Sequence, residues 1–400
     1  MTYLDWASTA PPHEDILVEA ARLAIVNYGN PSSRHGLGVE AARLLEDARA
    51  GMLAVLGREQ GKSAARAGAP LLVFTSGGSE ADAIVLLSIL RRKASGIGAP
   101  PHIVTTAIEH SAVFEQARLL EKLGVAVSFV RPCSDGLVRP SSIASAMRKE
   151  TALVAVMAVN NETGAIQPLA EIASAISAAS TALGRREPPL FHADAVQALG
   201  KVPFIPGILG LSSAAFSAHK IGGPRGMGGL WLRGRLDPLA LGGGQEAGIR
   251  AGTENLQGAW AFSRAAERAC AGLDANMSRA RGIEARLLAG LASLEGVLPL
   301  PLGRAAGDER YSPFILSAVF PGLSGEVLAR ALADRGVAVS TGAACSSRHA
   351  KQGRRVLEAM GLPEDLAFSA IRVSTGPATT EAEIDLFLEI VSELHRKLRT

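Results

Sequence analysis

The residues best suited to covalent chemistry lie in one short stretch, 212–226. A mostly apolar run ends in Ser217-Ala218-His219-Lys220, and a glycine-rich turn follows at once. A primary amine is the side-chain group that forms a Schiff base with a carbonyl cofactor, and its free form is the nucleophile. Serine and histidine at the same turn can donate hydrogen bonds to a phosphate. The stretch therefore predicts covalent binding of such a cofactor at Lys220; the alternative is a solvated lysine in a loop.

Three more polar clusters each follow a predicted strand. Glu109 and His110 come after the strand predicted at 102–105, and residues 160–162 (Asn-Asn-Glu) come after the strand predicted at 153–158. Asp194 and Gln197 come after the strand predicted at 190–192. Ligands of open parallel sheets bind beyond the carboxyl ends of the strands. We therefore expect these side chains to collect at one edge of a sheet.

A second glycine turn connects a predicted strand, residues 71–74, to a helix that runs to about Arg92. Its sequence is Thr75-Ser76-Gly77-Gly78-Ser79-Glu80, which is not the dinucleotide fingerprint G-x-G-x-x-G. A strand followed by a glycine turn and a helix N-terminus presents free backbone N–H groups to a phosphate. The turn thus predicts a phosphate contact at Gly78 and Ser79.

The elements that must position these residues alternate between strands and helices. Such alternation is typical of an α/β fold with a largely parallel sheet. The further strands are predicted at 102–105, 126–130, 153–158, 190–192, 214–216 and 229–232, and helices at 16–26, 38–56, 111–123, 141–147 and 169–183.

The rest of the chain predicts a smaller α+β domain. A glycine-rich segment, residues 241–255, fits an ordered binding loop better than a linker because it carries charged residues and Thr253. A long helical region from about Leu256 to Leu294 follows. Strand-like segments are then predicted at 314–319, 337–340 and 370–374.

Composition excludes several classes of protein. The 400 residues are 48% hydrophobic, which supports a sizeable core, and the net charge of +3 gives no strong basic field for nucleic acid. The first 21 residues contain no Lys or Arg, and no apolar run approaches the ~18 residues of a membrane helix. We expect a cytoplasmic protein that binds neither nucleic acid nor membrane. The three cysteines, Cys133, Cys270 and Cys345, fit neither a paired disulfide framework nor a C-x-x-C zinc site.

Together these features resemble the pyridoxal-phosphate cysteine desulfurases, the NifS/IscS-like group of the class V aminotransferase superfamily. The resemblance extends over nearly the whole chain. The matching stretches are 3–5, 29–33, 74–77, 109–110, 159–162, 192–197, 216–220, 250–255, 340–346 and 370–374.

The resemblance implies the pyridoxal-phosphate transferase fold, which is similar to that of aspartate aminotransferase. Residues 16–262 would form the large cofactor-binding domain with a mostly parallel sheet. Residues 1–15 and 263–400 would form the small α+β domain that carries the cysteine loop.

The resemblance also assigns roles around the cofactor ring. Lys220 would hold pyridoxal 5'-phosphate as a Schiff base and then move the substrate Cα proton. Asp194 would pair with the pyridinium nitrogen, so that the ring can accept electrons released at Cα. Gln197 would contact the ring hydroxyl, and His110 would stack on the ring and assist proton transfer. Asn161 would contact the cofactor and, with a bidentate grip from Arg372, the substrate amino acid.

The implied phosphate site includes residues of two subunits. Gly78 and Ser79 would grip the phosphate at the helix N-terminus, with Ser217 and His219 from the lysine stretch. A residue equivalent to Thr253 reaches the phosphate from the other subunit in this family, which implies a homodimer. The family usually has threonine where Ser79 stands, and serine keeps the hydroxyl.

Cys345 distinguishes cysteine desulfurases from other pyridoxal enzymes. It lies among small residues in Ser340-Thr341-Gly342-Ala343-Ala344-Cys345-Ser346, and basic residues follow, whose charge would favour the thiolate. By resemblance, this thiol takes the sulfur of L-cysteine as a persulfide and leaves L-alanine. Residues 348–353 depart from the family's usual loop, and their basic character suggests an acidic partner surface.

The resemblance implies that the sulfur serves iron–sulfur cluster or thiocofactor assembly, with a sulfur-acceptor or scaffold protein as partner. No stable metal site is expected, although Cys345 could be a transient iron–sulfur ligand. The enzyme alternatives are a selenocysteine lyase or an aminotransferase of the same fold. A non-enzymatic sulfur carrier or scaffold subunit is a further alternative.

Overall fold

Strands and helices alternate along the chain in the computed structural model, which describes residues 1–57, 69–94, 100–342 and 354–398. The strands in these ranges are β1 (Thr2–Tyr3), β2 (Leu71–Thr75), β3 (His102–Thr106), β4 (Ala126–Val130), β5 (Thr151–Ala155), β6 (Leu190–Asp194), β7 (Ser213–Ser217), β8 (Gly228–Leu232), β9 (Leu298–Leu300), β10 (Ile315–Val319), β11 (Val337–Ala338) and β12 (Ala370–Ser374). The α-helices there are α1 (Glu14–Val26), α2 (Gly36–Val55), α3 (Gly78–Ala94), α4 (Ser111–Lys122), α5 (Pro140–Ala146), α6 (Leu169–Ala182), α7 (Leu256–Ala271), α8 (Leu273–Ala292), α9 (Gly325–Asp334), α10 (Arg355–Ala359), α11 (Glu364–Phe368) and α12 (Glu381–Leu398).

A seven-stranded sheet organises the larger part of the molecule. Its strand order is β2-β8-β7-β6-β5-β3-β4, and all neighbours are parallel except β8, which is antiparallel to β2 and β7. The predicted α/β fold with a mostly parallel sheet is confirmed.

Helices cover both faces of this sheet. Alternate residues of one strand point to opposite faces, so Ile103 packs into the same apolar cluster as Val85 of α3, whereas Val104 packs into the cluster that holds Met52 of α2 and Phe262 of α7. Because both faces are covered, β3 and β5 are buried at every residue, and apart from His102 they consist of apolar or hydroxyl-bearing residues.

A second layer is built on the antiparallel sheet β12-β10-β9. Its core joins Phe320 to Leu332 of α9 and Phe387 of α12. Leu4 of the N-terminal segment is buried in the same cluster, and β1 pairs in parallel with β11. The exact domain boundaries stay a prediction.

Three predicted elements differ in extent. The predicted helical region 256–294 is two helices with Gly272 between them, since glycine is a poor helix former and Gly272 ends α7 and precedes α8. The predicted strand 153–158 lies at 151–155, and the N–H of Met157 instead donates to the carboxylate of Glu109. Only Val337–Ala338 of the predicted strand 337–340 is strand. Among the described residues, no helix is long and apolar enough to cross a membrane.

Candidate active site

A cavity of about 970 Å³ opens where several strands of the large sheet end. Residues that follow β2, β3, β5, β6 and β7 line it. The lining contains ten of the twelve predicted site residues: Gly78, Ser79, His110, Asn161, Asp194, Gln197, Ser217, His219, Lys220 and Arg372. Cys345 lies outside the described residues, and Thr253 is treated below.

Lys220 stands at the end of a short 3-10 turn directly after the buried strand β7. Its Nζ donates to the backbone carbonyls of Ala7 at 2.8 Å and Ser8 at 2.7 Å. The chain turns sharply behind the lysine at Gly222, whose φ of +78° favours glycine and whose added Cβ would lie 2.7 Å from the His13 ring. The turn and the N-terminal segment thus hold the amine at the cavity.

Asp194 ends β6 and faces the cavity from a buried position. Its Oδ1 accepts a hydrogen bond of 3.0 Å from the N–H of Val196. Burial raises the pKa of this carboxyl, while His110, that N–H and the Lys220 ammonium act in the opposite direction. The predicted partner of a ring nitrogen is therefore a buried carboxylate with cationic or polar neighbours.

Near Asp194, and with Asp82 also at the cavity, lies a network that sequence reasoning missed. Asp82 of α3 is 1% exposed, and its Oδ1 is 3.1 Å from Nε2 of His192, whose Nδ1 is 2.9 Å from Oγ of Ser213. Burial lowers the pKa of His192 to about 3, so the ring is neutral. Burial, and then the charges of Asp194 and Glu109, raise the pKa of Asp82 well above its usual range. An acidic residue beside Ala81 and near Val85, on the buried side of a helix, was the available signal.

Glu109 joins the ends of β3 and β5. Its Oε1 accepts from Thr106 Oγ1 at 2.6 Å and from the N–H of Met157 at 2.9 Å. Its Oε2 is buried and has no hydrogen-bond partner in the described part of the chain. Burial raises the pKa of Glu109 to about 8, and the charge of Asp194 acts in the same direction. Glu109 is therefore mostly protonated at neutral pH.

His110 is the N-cap residue of α4. Its Nδ1 accepts a hydrogen bond of 3.2 Å from the N–H of Ala112, which places the ring proton on Nε2. Burial lowers the pKa of His110; the charge of Asp194 opposes this shift, whereas that of Lys220 adds to it. A neutral imidazole, whose Nε2–H makes no hydrogen bond within the described part of the chain, thus lines the cavity.

The start of α3 forms an open cradle. An added Cβ at Gly77 would meet no described atom within 4 Å, whereas one at Gly78 would lie 2.5 Å from Val196 Cγ2. The first N–H groups of a helix lack intrahelical partners, so they are available to an anion. Ser79 and Ser217 line the same end of the site.

His219 is placed beside the phosphate cradle as a neutral ring. Its Nδ1 is 3.1 Å from Thr9 Oγ1. Burial, followed by the charge of Lys220, lowers the pKa of His219 to about 4. The neutral ring can offer one N–H to a ligand oxygen.

Arg372 lies on β12 and is 3% exposed. Its Nη1 donates to the carbonyl of Asn161 at 2.8 Å, and its Nη2 donates to Asp5 Oδ1 and Ser8 Oγ, both at 2.8 Å. Its Nε is buried and, among the described residues, has no hydrogen-bond partner. A buried guanidinium with an unused donor at the cavity is suited to a carboxylate.

Two further arginines lie at the mouth of the cavity. Arg355 donates to the carbonyls of Ala107 and Glu109, and its guanidinium carbon is 3.9 Å from the centre of the Phe114 ring. Arg354 donates to the carbonyl of Thr341. Both cations line the cavity and directly follow the segment 343–353, which contains Cys345.

Thr253 is exposed and is not among the residues that line the cavity within one chain. Its loop nevertheless approaches the start of α3, because Nε of Arg250 lies 3.2 Å from Oε1 of Glu80. In the described ranges, no group of three or more His, Cys, Asp or Glu side chains is arranged to hold a metal ion.

Comparisons with known proteins give the family of the chain. Residues 2–387 match the family model described as aminotransferase class-V, so the chain belongs to that family. A cysteine desulfurase IscS of Anaeromyxobacter sp. strain K is 36% identical over 403 residues, which cover 99% of this chain and 93% of the relative. A mitochondrial cysteine desulfurase of Eremothecium gossypii is 35% identical over 99% of this chain and 76% of its own length. The solved structure of a NifS-like protein superposes with a TM-score of 0.86 at 32% identity, over 99% of this chain and 100% of that one.

Within the class-V aminotransferases, the chain is a member of the cysteine desulfurases. The family predicted from the sequence is confirmed.

Proposed function

We propose that the protein removes sulfur from L-cysteine with bound pyridoxal 5'-phosphate, yields L-alanine and carries the sulfur as a persulfide on Cys345. The observation that carries the proposal is the convergence of Lys220, Asp194 and His110 on one cavity, in a chain whose relatives are cysteine desulfurases. This is a sulfurtransferase type of reaction.

The described residues fit the cofactor. The buried carboxylate of Asp194 suits a protonated ring nitrogen, Gln197 suits the ring oxygen, and the cradle of Gly78 and Ser79 suits the phosphate. When bound, pyridoxal phosphate supplies an aldehyde and a ring that accepts electrons from the substrate Cα.

The chain's own residues then bind substrate and move protons. The Lys220 amine, once released, takes the proton from the substrate Cα, and the Nε2–H of His110 is placed to donate a proton at the cavity. Asp194 keeps the ring nitrogen protonated through a charge-assisted hydrogen bond. Arg372 holds the substrate carboxylate, with Asn161 beside it.

Cys345 completes the reaction as the sulfur acceptor. Its thiolate attacks the sulfur of the bound substrate, the C–S bond breaks, and the electron pair of that bond stays with the carbon. The enzyme retains the sulfur as a persulfide, and protonation of the carbon yields alanine. Arg354 and Arg355 directly follow the segment 343–353, which contains Cys345, and positive charge near a thiol favours the thiolate.

The proposed assembly is a homodimer in which Thr253 reaches the phosphate of the partner subunit. Its exposure within one chain, outside the residues that line the cavity, supports this arrangement. The proposal includes transfer of the sulfur to an acceptor or scaffold protein for iron–sulfur cluster or thiocofactor assembly. A cytoplasmic location stays a prediction, because the relatives include a mitochondrial enzyme.

The decisive experiment is mass spectrometry after turnover. The purified protein, loaded with pyridoxal phosphate, is incubated with L-cysteine and no keto acid, and the added sulfur is mapped. We expect alanine and an increase of one sulfur at Cys345. The Cys345→Ser variant should keep the cofactor's yellow colour and lose at least ~100-fold in sulfide release, and Lys220→Ala should not complete turnover.

The matched control is Cys133→Ser, which should release sulfide at the wild-type rate. Alanine formation that requires an added keto acid would identify an aminotransferase instead. Full sulfide release by the Cys345→Ser variant would refute the role of this cysteine.

A further inference from the structure

A second lysine, Lys201, lies behind the site residue Gln197. It is four residues further along the turn that follows β6, and it does not belong to the residues that line the cavity. Its Nζ donates a hydrogen bond of 2.8 Å to Oε1 of Gln197. The Gln197 side chain is therefore held by a lysine that is not part of the cavity lining.

The two hydrogen bonds of Gln197 fix which way its amide points. Nε2 donates to the carbonyl of Ala7 at 2.8 Å, and Oε1 accepts from Lys201 at 2.8 Å. A carbonyl can only accept, so a flipped amide would place its oxygen against the carbonyl of Ala7, and an ammonium at Lys201 would oppose the flip as well. The orientation with Nε2 at Ala7 and Oε1 at Lys201 satisfies both partners and leaves one hydrogen of Nε2 that these two bonds do not use.

Ala7 links this arrangement to the reactive amine. Its carbonyl accepts from both Gln197 Nε2 and Lys220 Nζ, each at 2.8 Å. The buried carbonyl of Ala7 thus connects Gln197 to Lys220, and Lys201 joins them through its hydrogen bond to Gln197. A change at Lys201 can therefore reach the cofactor site through the Lys201–Gln197 and Gln197–Ala7 contacts.

We propose that Lys201 is a positioning residue that orients the Gln197 amide so that its free N–H points to the ring oxygen of pyridoxal phosphate. The inference rests on the proposed function of this site. The bond does not depend on one protonation state, because a neutral amine also donates. Burial, followed by the charges of Lys220 and Arg372, lowers the pKa of Lys201 to about 7.

The test uses the visible absorbance of the lysine-bound cofactor as a function of pH, without substrate. A hydrogen bond to the ring oxygen stabilises its negative charge and so favours loss of the nearby proton on the Lys220 nitrogen. In Lys201→Met this bond is lost, and we expect the midpoint of the absorbance change to rise by about one pH unit, which corresponds to about 1.4 kcal/mol. Asp194, His110 and His219 also face Lys220, and the charge of Lys201 contributes to the lowered pKa of His219, so the double variant below separates a direct effect of this charge from the route through Gln197.

Two further variants locate the cause. Gln197→Leu should raise the midpoint by the same amount, and the double variant should show no larger shift than either single one. Lys201→Arg, which keeps a donor, should recover at least half of the shift. Lys201→Leu replaces Lys201→Met if the latter does not fold, as judged by circular dichroism.

The proposal has distinct ways to fail. An unchanged midpoint with a lower melting temperature would make Lys201 a packing residue. Additive shifts of the midpoint in the double variant would show that the charge of Lys201 acts directly on the lysine-bound cofactor rather than through Gln197. A wild-type protein that develops no visible absorbance with pyridoxal phosphate would overturn the proposed function, and this inference with it.

Discussion

At the scale of single residues, three acids share one buried region and differ in the groups that oppose their burial. Burial raises the pKa of Asp194, and the charges of His110 and Lys220 oppose this shift only in part. Thr106, the N–H of Met157 and Arg355 oppose the effect of burial at Glu109, whose pKa still rises to about 8, whereas at Asp82 burial and the charges of Asp194 and Glu109 all raise the pKa. All three acids line the cavity, and the raised pKa values of Asp82 and Glu109 favour their protonated forms, which reduces repulsion among buried charges.

The protonated state of Glu109 predicts a pH-dependent stability. The folded protein holds this proton up to about pH 8, whereas an unperturbed glutamate loses it near pH 4.5. Between these values folding takes up a proton, so this residue makes the free energy of unfolding fall as the pH rises, by about 1.4 kcal/mol per pH unit. We expect Glu109→Gln to lose less stability than the wild type between pH 5 and pH 8, as measured by urea unfolding.

The control for this prediction is the exposed neighbour Glu115, whose change to Gln should leave the pH profile of the wild type unaltered. Parallel profiles for Glu109→Gln and wild type would mean that Glu109 is ionised in the folded state.

At the scale of elements, a buried ion pair anchors the glycine-rich loop that carries Thr253. Nη1 of Arg49 in α2 lies 2.7 Å from Oε2 of Glu246, and the same oxygen accepts from the N–H of Phe74 at 2.8 Å. Glu246 and Ala247 adopt positive φ angles of +47° and +56°, which are unfavourable for residues other than glycine. The ion pair thus holds a strained loop segment against α2 and β2.

Removal of this anchor should be costly. In Arg49→Met the carboxylate of Glu246 stays buried without its cation, and such changes typically cost about 3–5 kcal/mol. We expect a lower melting temperature and, because the loop is released, weaker retention of pyridoxal phosphate after dialysis. The matched control is Arg43→Met on the same helix, where the ion pairs with Glu40 and Asp47 are exposed and the change should cost under ~1 kcal/mol. Equal effects of the two variants would contradict the anchor.

At the scale of the whole molecule, the site draws on both layers. Arg372 comes from the small sheet, Lys220 from the large one, and the N-terminal residues Ala7 and Ser8 lie between them. The buried side chain of Arg304 reinforces the junction, because it bonds Glu284 and also donates to the carbonyl of Thr163 at 2.9 Å. The loop that carries Asn161 is thereby fixed to the second layer.

An exposed apolar surface predicts the assembly. Ile25, Val26 and Tyr28, at and just beyond the end of α1, are 76%, 68% and 74% exposed, and the start of α2 adds Leu37 and Val39. Gly29 packs against the backbone of Leu37, so these residues form one patch. Patches of this kind mark interaction sites, and the proposed homodimer would cover it.

We therefore expect the wild type to elute with twice the chain mass of 41.4 kDa in light-scattering chromatography. Val26→Asp should shift the protein towards the monomer and weaken cofactor retention, since Thr253 of the partner would be removed from the phosphate. Ile208→Asp, at a position 78% exposed elsewhere, should remain dimeric. A monomeric wild type with full cofactor retention would refute the shared site.

The sequence by itself determined the class of fold and most of the candidate site. Lys220 was predicted from the run that ends in Ser-Ala-His-Lys before a glycine turn, and Asp194 and His110 from polar residues that follow predicted strands, where ligands of parallel sheets bind. Their roles came from the resemblance to the cysteine desulfurases. These features are local in the chain: a residue type, a turn and a period of hydrophobic residues.

The tertiary structure alone decided which groups surround that chemistry and in what protonation state. Asp82 and Lys201 belong to no site motif in the sequence, yet the fold places Asp82 near Asp194 at the cavity and Lys201 against Gln197. The pKa of a carboxyl or amine depends on burial and on charges brought from distant parts of the chain, and the orientation of an amide depends on its partners. Neither the pKa of a buried group nor the orientation of an amide is encoded in the spacing of residues along the sequence. The orientation of the Gln197 amide, for example, depends on a fold that brings Gln197 and Lys220 to the carbonyl of Ala7.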